Sequence, residues 1–128
     1  MMTLWSIFRS PLMFGGDLPT LDPFTTSLLT NGDVLAVNQH STGNRIAYSD
    51  GNLRVWTAAS SSGSPRRYIA IFNTGDTSIE AHVPWQKIGI EKQSGPLHDL
   101  WTGETLPKVS EIAVKLAPHA SVLYSIAK

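Results

Sequence analysis

Apolar positions along this 128-residue chain follow two rhythms, and the change comes near residue 41. In the first part, Leu4, Ile7 and Phe8 recur at helical spacing ahead of Pro11, which predicts the last turns of a helix over 3–10. Leu12-Met13-Phe14 is a continuous apolar triplet, the pattern of a strand covered on both faces. Gly15-Gly16 then permits a tight loop leading to Asp17. Asp22-Pro23 is a helix start, with the aspartate as cap and proline at the first helical position. That helix is expected to end at Asn31-Gly32, the glycine taking the left-handed position beyond the end. Asp33 is expected to cap a second short helix through Val34, Leu35 and Val37 to about Gln39.

Beyond the turn cluster Ser41-Thr42-Gly43-Asn44, apolar residues alternate with polar ones over short runs. Strands are expected at 45–49, 53–59, 67–73, 78–84, 87–90, 96–101, 110–116 and 120–126, separated by Gly-, Asn-, Ser- and Pro-rich turns. The stretch 60–65 is a surface connector too short for a domain linker, and no internal repeat is visible. The expected fold is mainly β. An antiparallel β-sandwich over 41–128 follows a short α/β segment over 1–40, whose helix, strand and loop order builds parallel sheets and barrels. A single such unit cannot bury itself.

Composition narrows the class. A hydrophobic content of 41% supports a packed core in about one domain of ordinary size. Ten basic and ten acidic residues balance, so neither nucleic acid nor a membrane surface is an expected partner. The pair Arg66-Arg67 reads as a solvated strand edge. With no cysteine, disulfides and thiolate metal sites are excluded, and the compartment stays open; a periplasmic or secreted parent is compatible. The apolar start has no basic leader, carries Arg9 in its middle and breaks at Pro11, unlike a signal peptide or a span of about 20 residues. The doubled Met1-Met2 reads as a start set upstream of a native segment.

Candidate chemistry is sparse. His40, His82, His98 and His119 lack metal-ligand spacing and read as turn or surface residues, so neither metal nor cofactor is expected. No nucleophile elbow or phosphate-cradling glycine loop is present. Glycoside hydrolysis needs two carboxylates about 5–9 Å apart. Asp99 and Glu104 flank Leu-Trp-Thr-Gly and would approach across a hairpin, but a turn at Thr-Gly-Glu with Trp101 covering the sandwich accounts for them without chemistry. Asp17 follows a strand and a Gly-Gly pair, which in a (β/α)8 barrel is the active-site face. One acid makes no acid/base pair, and hydrogen bonding to loop amides or capping is the favoured role for it. Trp56, Trp85 and Trp101 are either core and interface residues or an aromatic platform for a sugar.

The order of features carries a resemblance. Trp5-Ser-Ile-Phe-Arg-Ser-Pro-Leu-Met-Phe-Gly-Gly-Asp-Leu18, a short helix, then Leu29-Thr-Asn-Gly-Asp-Val-Leu-Ala-Val-Asn-Gln39 resembles the end of the catalytic barrel in glycoside hydrolase family 27. This is the α-galactosidase and α-N-acetylgalactosaminidase family. Leu97-His-Asp-Leu-Trp-Thr-Gly-Glu104 and Leu116-Ala-Pro-His-Ala-Ser-Val-Leu-Tyr124 are similar to that family's C-terminal antiparallel domain. His40-Ser41 stands where many eukaryotic members have Asp-Pro, which favours a bacterial-type branch.

The resemblance implies a retaining glycosidase that acts on terminal α-linked galactose-type sugars through two aspartates on middle barrel strands. None of that machinery lies in this chain. It further implies that Leu12–Phe14 is the eighth barrel strand, with Asp17 at the site's rim and no known sugar contact. A (β/α)8 barrel takes about 250 residues, while only about 40 precede the sandwich by this reading, so the chain alone is expected to be structural and inactive. The alternative is a noncatalytic carbohydrate-binding or interaction module. Leu4, Trp5, Ile7, Phe8, Leu12, Met13 and Phe14 would face barrel neighbours in a longer enzyme. In the 128-residue chain they are expected to be exposed, refolded or buried on a second copy, with association or disorder over 1–20.

Overall fold

Among the described residues, eight strands form two antiparallel sheets, and three short helices precede them. The computed structural model describes residues 2–9, 23–61, 63, 66–90 and 95–127. The expected strand at 12–14 and the Gly15-Gly16-Asp17 loop lie outside them.

The larger sheet has six strands in the order β1-β2-β3-β8-β5-β6: β1 Ser41–Asp50, β2 Leu53–Ser60, β3 Arg66–Asn73, β8 Ser121–Ala127, β5 Leu97–Asp99 and β6 Thr105–Leu106. The smaller sheet pairs β4 (Ile79–Pro84) with β7 (Glu111–Leu116). Between the sheets lies the main core, where Val55, Ile69, Ile71, Tyr124 and Ile126 of the large sheet meet Ala81, Val83, Ile112 and Leu116 of the small one. The mainly β, antiparallel sandwich read from the alternation is the observed architecture.

The helices are α1 Met2–Phe8, α2 Pro23–Thr30 and α3 Gly32–Gln39. Ile7, Val34 and Val37 are fully buried with Ala58, Tyr68, Ala70, Leu100 and Leu123, a second core on the other face of the large sheet. The strand parity fixes the faces, since Tyr68 and Ala70 point opposite to Ile69 and Ile71. The molecule is therefore layered helix, sheet, sheet. The expectation that the apolar side chains of the first helix must be exposed, refolded or buried on another copy is corrected at Ile7, which this chain buries itself. Leu4 and Phe8 on the same helix stay 41% and 60% exposed.

Several local expectations also change. Asn31, not Asp33, caps α3: its Oδ1 accepts from the amides of Asp33 and Val34, both at 3.1 Å. Gly32 opens α3 rather than closing α2 in a left-handed conformation. The Ser41–Asn44 turn cluster is instead the bulged start of β1, with Gly43 at φ 67° and a register shift between Thr42 and Arg45. Asn44 in that bulge donates to the Ile7 carbonyl at 2.6 Å and to Ser41 Oγ at 2.8 Å, while Ser41 donates to the Val37 carbonyl. These bonds tie α1 and α3 to the sheet.

The strand expected at 87–90 is a 3-10 helix, Trp85–Ile88, closed by Gly89 at φ 75°. Three residues per turn put Trp85 and Ile88 on one side, facing the core. The indole Nε1 of Trp85 donates to the Val109 carbonyl at 3.0 Å, which satisfies its buried polar atom. The expected strand at 96–101 is shorter, because Asp99 turns the chain, and the short strand β6 was not anticipated.

Candidate functional site

The two carboxylates nearest each other in sequence serve a turn. Asp99 Oδ1 accepts from the amides of Trp101 and Thr102 at 2.9 and 3.1 Å, and the Asp99 amide donates to the Glu104 carbonyl at 2.9 Å. Gly103 closes the turn at φ 76°. The hairpin brings the backbones of Asp99 and Glu104 together as expected, and the Asp99 oxygen is committed to backbone donors. Tyr124 lies opposite Asp99 in the sheet, and its phenol titrates above the usual range. Burial in the core disfavours the charged phenolate, and the Asp99 carboxylate opposes it further. Asp17 lies outside the described residues.

The histidines are scattered. His40 follows α3, and His98 Nδ1 lies 3.0 Å from Thr105 Oγ1. His82 is exposed on β4, 3.2 Å from Glu111 Oε1. His119 Nε2 sits 2.9 Å from Asp76 Oδ1. Among the described residues, no three His, Asp or Glu side chains converge in a way that could hold a metal ion. No described helix is long and apolar enough to cross a membrane. Arg66 and Arg67 begin β3, an interior strand rather than an edge; Arg66 is exposed, while Arg67 is half-buried and donates to the Gly89 carbonyl at 3.1 Å.

The tryptophans separate into different roles. Trp85 is core. Trp101 donates from Nε1 to Thr3 Oγ1 at 2.8 Å, which fastens the β5–β6 hairpin to α1. Trp56 is half-buried on the helix-covered face of the large sheet, with Phe8 edge-on to its ring at 5.6 Å. Beside it, Arg54, Phe72 and Ser121 stand in one row across β2, β3 and β8. Leu4 of α1, Thr74 and His119 complete a groove of about 280 Å³ around this row. His119 is at φ 57° in the turn from Ala117 to Ala120, whose ends are joined by a 3.0 Å backbone hydrogen bond. Of the groove residues, the sequence offered Trp56 as a possible sugar platform and His119 as a turn or surface residue. The groove as a whole draws on α1, three strands and two turns, brought together by cross-strand register and by the docking of α1 on the sheet.

A second concavity, of about 290 Å³, lies beside the 3-10 helix and collects Arg45, Arg67, Thr42 and Thr57. It carries no aromatic ring.

The chain resembles carbohydrate-active proteins along its whole length. Residues 50–126 match the model of the α-galactosidase C-terminal β-sandwich domain. α-Galactosidase 2 of Arabidopsis thaliana is 29% identical over 98% of this chain, which spans only 32% of that enzyme's length. A β-L-arabinopyranosidase of glycoside hydrolase family 27 from Geobacillus stearothermophilus superposes with a TM-score of 0.91 at 40% identity, covering all of this chain and 29% of its own. α-Galactosidase I from Mortierella vinacea shares the fold, with a TM-score of 0.86 over 98% of this chain and 34% of its own. The chain belongs to the family of α-galactosidase C-terminal β-sandwich domains carried by the enzymes of glycoside hydrolase family 27.

Proposed function

We propose that this chain is the carboxy-terminal part of a retaining glycoside hydrolase acting on terminal galactose-type sugars. In this reading residues 1–40 end a (β/α)8 barrel, and 41–128 form a noncatalytic sandwich that holds it. The observation that carries it is the second core: Ile7, Val34 and Val37 are buried against the outer face of the large sheet, so the helical segment and the sandwich act as one solid. Exposed Phe8 and Phe24, at 60% and 71%, mark an apolar helix surface that a barrel would cover. In the isolated chain a second copy is the substitute. The substrate class follows the relatives, whose names include α-galactosidase and β-L-arabinopyranosidase. L-Arabinopyranose shares the ring hydroxyl configuration of galactose without its hydroxymethyl group, so a galactose-type ring is the common element.

Two assays test this. The chain alone, incubated with nitrophenyl α-galactoside and nitrophenyl β-L-arabinopyranoside, is expected to give no turnover; reproducible turnover lost on Asp99→Asn would overturn the noncatalytic reading. Fused behind the part of the Geobacillus enzyme that it does not match, the chain is expected to restore hydrolysis of the arabinopyranoside. A soluble, folded fusion without activity counts against the barrel-closing role. The alternative, a carbohydrate-binding module, finds support only at Trp56, since Trp85 is buried and Trp101 is engaged with Thr3.

A further inference from the structure

We propose that the groove around Arg54, Trp56, Phe72 and His119 is a noncatalytic subsite for one pyranose ring of a neutral saccharide. The choice of a sugar rests on the chain's place in a carbohydrate-active enzyme; the choice of this groove rests on its chemistry alone.

A pyranose has an apolar C–H face and a rim of hydroxyls that both donate and accept. The groove supplies a counterpart for each. Trp56 and Phe72 provide aromatic surface on adjacent strands. Arg54 Nη1 donates to the carbonyls of Gly51 and Leu53 at 2.6 and 2.9 Å, which pins the guanidinium and, among the described residues, leaves its Nε and Nη2 donors for a ligand. Thr74 Oγ1 donates to the Asn52 carbonyl at 3.0 Å and keeps its acceptor lone pairs. His119 is oriented through Nε2 by Asp76, which leaves Nδ1 for a hydroxyl. Ser121 adds a hydroxyl on the same row. Donors and acceptors thus surround an aromatic floor.

Other ligand classes fit less well. An oxyanion would meet one guanidinium already partly used, and an imidazole held against the Asp76 carboxylate. A wholly apolar occupant would leave these polar groups unpaired. Ligand pockets commonly run from about 300 to 1,000 Å³. A groove of about 280 Å³ therefore suits one ring rather than an oligosaccharide.

The backbone supplies an independent observation. Pro118 and His119 occupy the two central positions of the Ala117–Ala120 turn, with His119 at φ 57°. The third position of such a turn favours glycine, and a side chain there is strained. The chain accepts that strain and sets an imidazole on the groove's rim.

The test uses the 128-residue chain with methyl α-galactopyranoside, methyl α-glucopyranoside and L-arabinose as probes. Tryptophan fluorescence is expected to change saturably at millimolar concentration of at least one of them, and the change should vanish in Trp56→Phe. Arg54→Ala and His119→Gly should each weaken binding about tenfold, the effect of losing one well-placed hydrogen bond. His119→Gly also relieves the turn, so its melting temperature should be equal or higher, and weakened binding there cannot be ascribed to misfolding. No saturable change with any probe overturns the subsite. A response retained in Trp56→Phe, or unaltered in both Arg54→Ala and His119→Gly, overturns it as well. Turnover takes no part in this readout, so a flat titration leaves the barrel-closing role standing, and an inactive fusion leaves the subsite standing.

Discussion

Asn31 accepts two amides with Oδ1 and, with Nδ2, donates to the Leu100 carbonyl at 2.9 Å. Aspartate would cap the helix equally well, but it has no donor for that carbonyl. This bond is part-buried, so Asn31→Asp should cost about 1 kcal/mol, the worth of a typical hydrogen bond; urea unfolding equal to the parent chain would refute the double role. Ser125 presents the reverse case. Its Oγ is buried without a hydrogen-bond partner among the described residues, as is that of Ser6, so Ser125→Ala should be neutral or stabilising by about 1 kcal/mol, read from the same unfolding curves. Tyr124 sets an alkaline limit. Its phenol holds its proton above the ordinary value of 10.0 in the fold, whereas the unfolded chain releases it near that value. Its contribution is complete below pH 10 and is lost as pH rises through the folded titration. Melting temperature should fall above about pH 10, and Tyr124→Phe should flatten that fall.

Elements were legible where one face alone decides their pattern. The helices and strands β2, β4 and β7 were readable from spacing and alternation, although the cap of α3 fell to Asn31 rather than Asp33. In β3 and β8, four consecutive residues are buried, Tyr68 to Ile71 and Leu123 to Ile126, because helices cover one face and the small sheet the other. No local pattern tells which of the two layers a given side chain joins. The 3-10 helix was misread because Trp85, Ile88 and Ile90 are also compatible with a short strand. The groove was illegible for a stronger reason: Arg54 meets Phe72 through the register of one hairpin, but Ser121 joins the row only because β8 pairs with β3, far away in the chain. A quantitative consequence belongs to α1. Ile7→Ala should cost about 2–5 kcal/mol, since the side chain is fully enclosed, while Leu4→Ala should be felt far less. Equal, small effects at both positions would mean that α1 is not docked in solution.

For the whole molecule, ten positive and ten negative residues leave little net repulsion between copies, while Phe8 and Phe24 stand out of the surface. Sedimentation velocity near neutral pH should therefore reveal concentration-dependent association, reduced by Phe8→Ser together with Phe24→Ser. A monomer unaffected by concentration would count against an apolar docking face.

The position of β8 has a consequence for assembly in time. It is made after every other described strand, yet it lies in the interior of the large sheet between β3 and β5. Until it enters, the β1–β2–β3 meander and the β5–β6 hairpin are separate pieces with unpaired inner edges. Pairing of Arg66 with Ala127 and of Leu97 with Ile126 closes both seams in one step. Such long-range closure is slow relative to local hairpin formation. During synthesis the nascent chain thus waits, apolar faces open, for one late strand that completes both cores, and chaperone demand should concentrate in that interval.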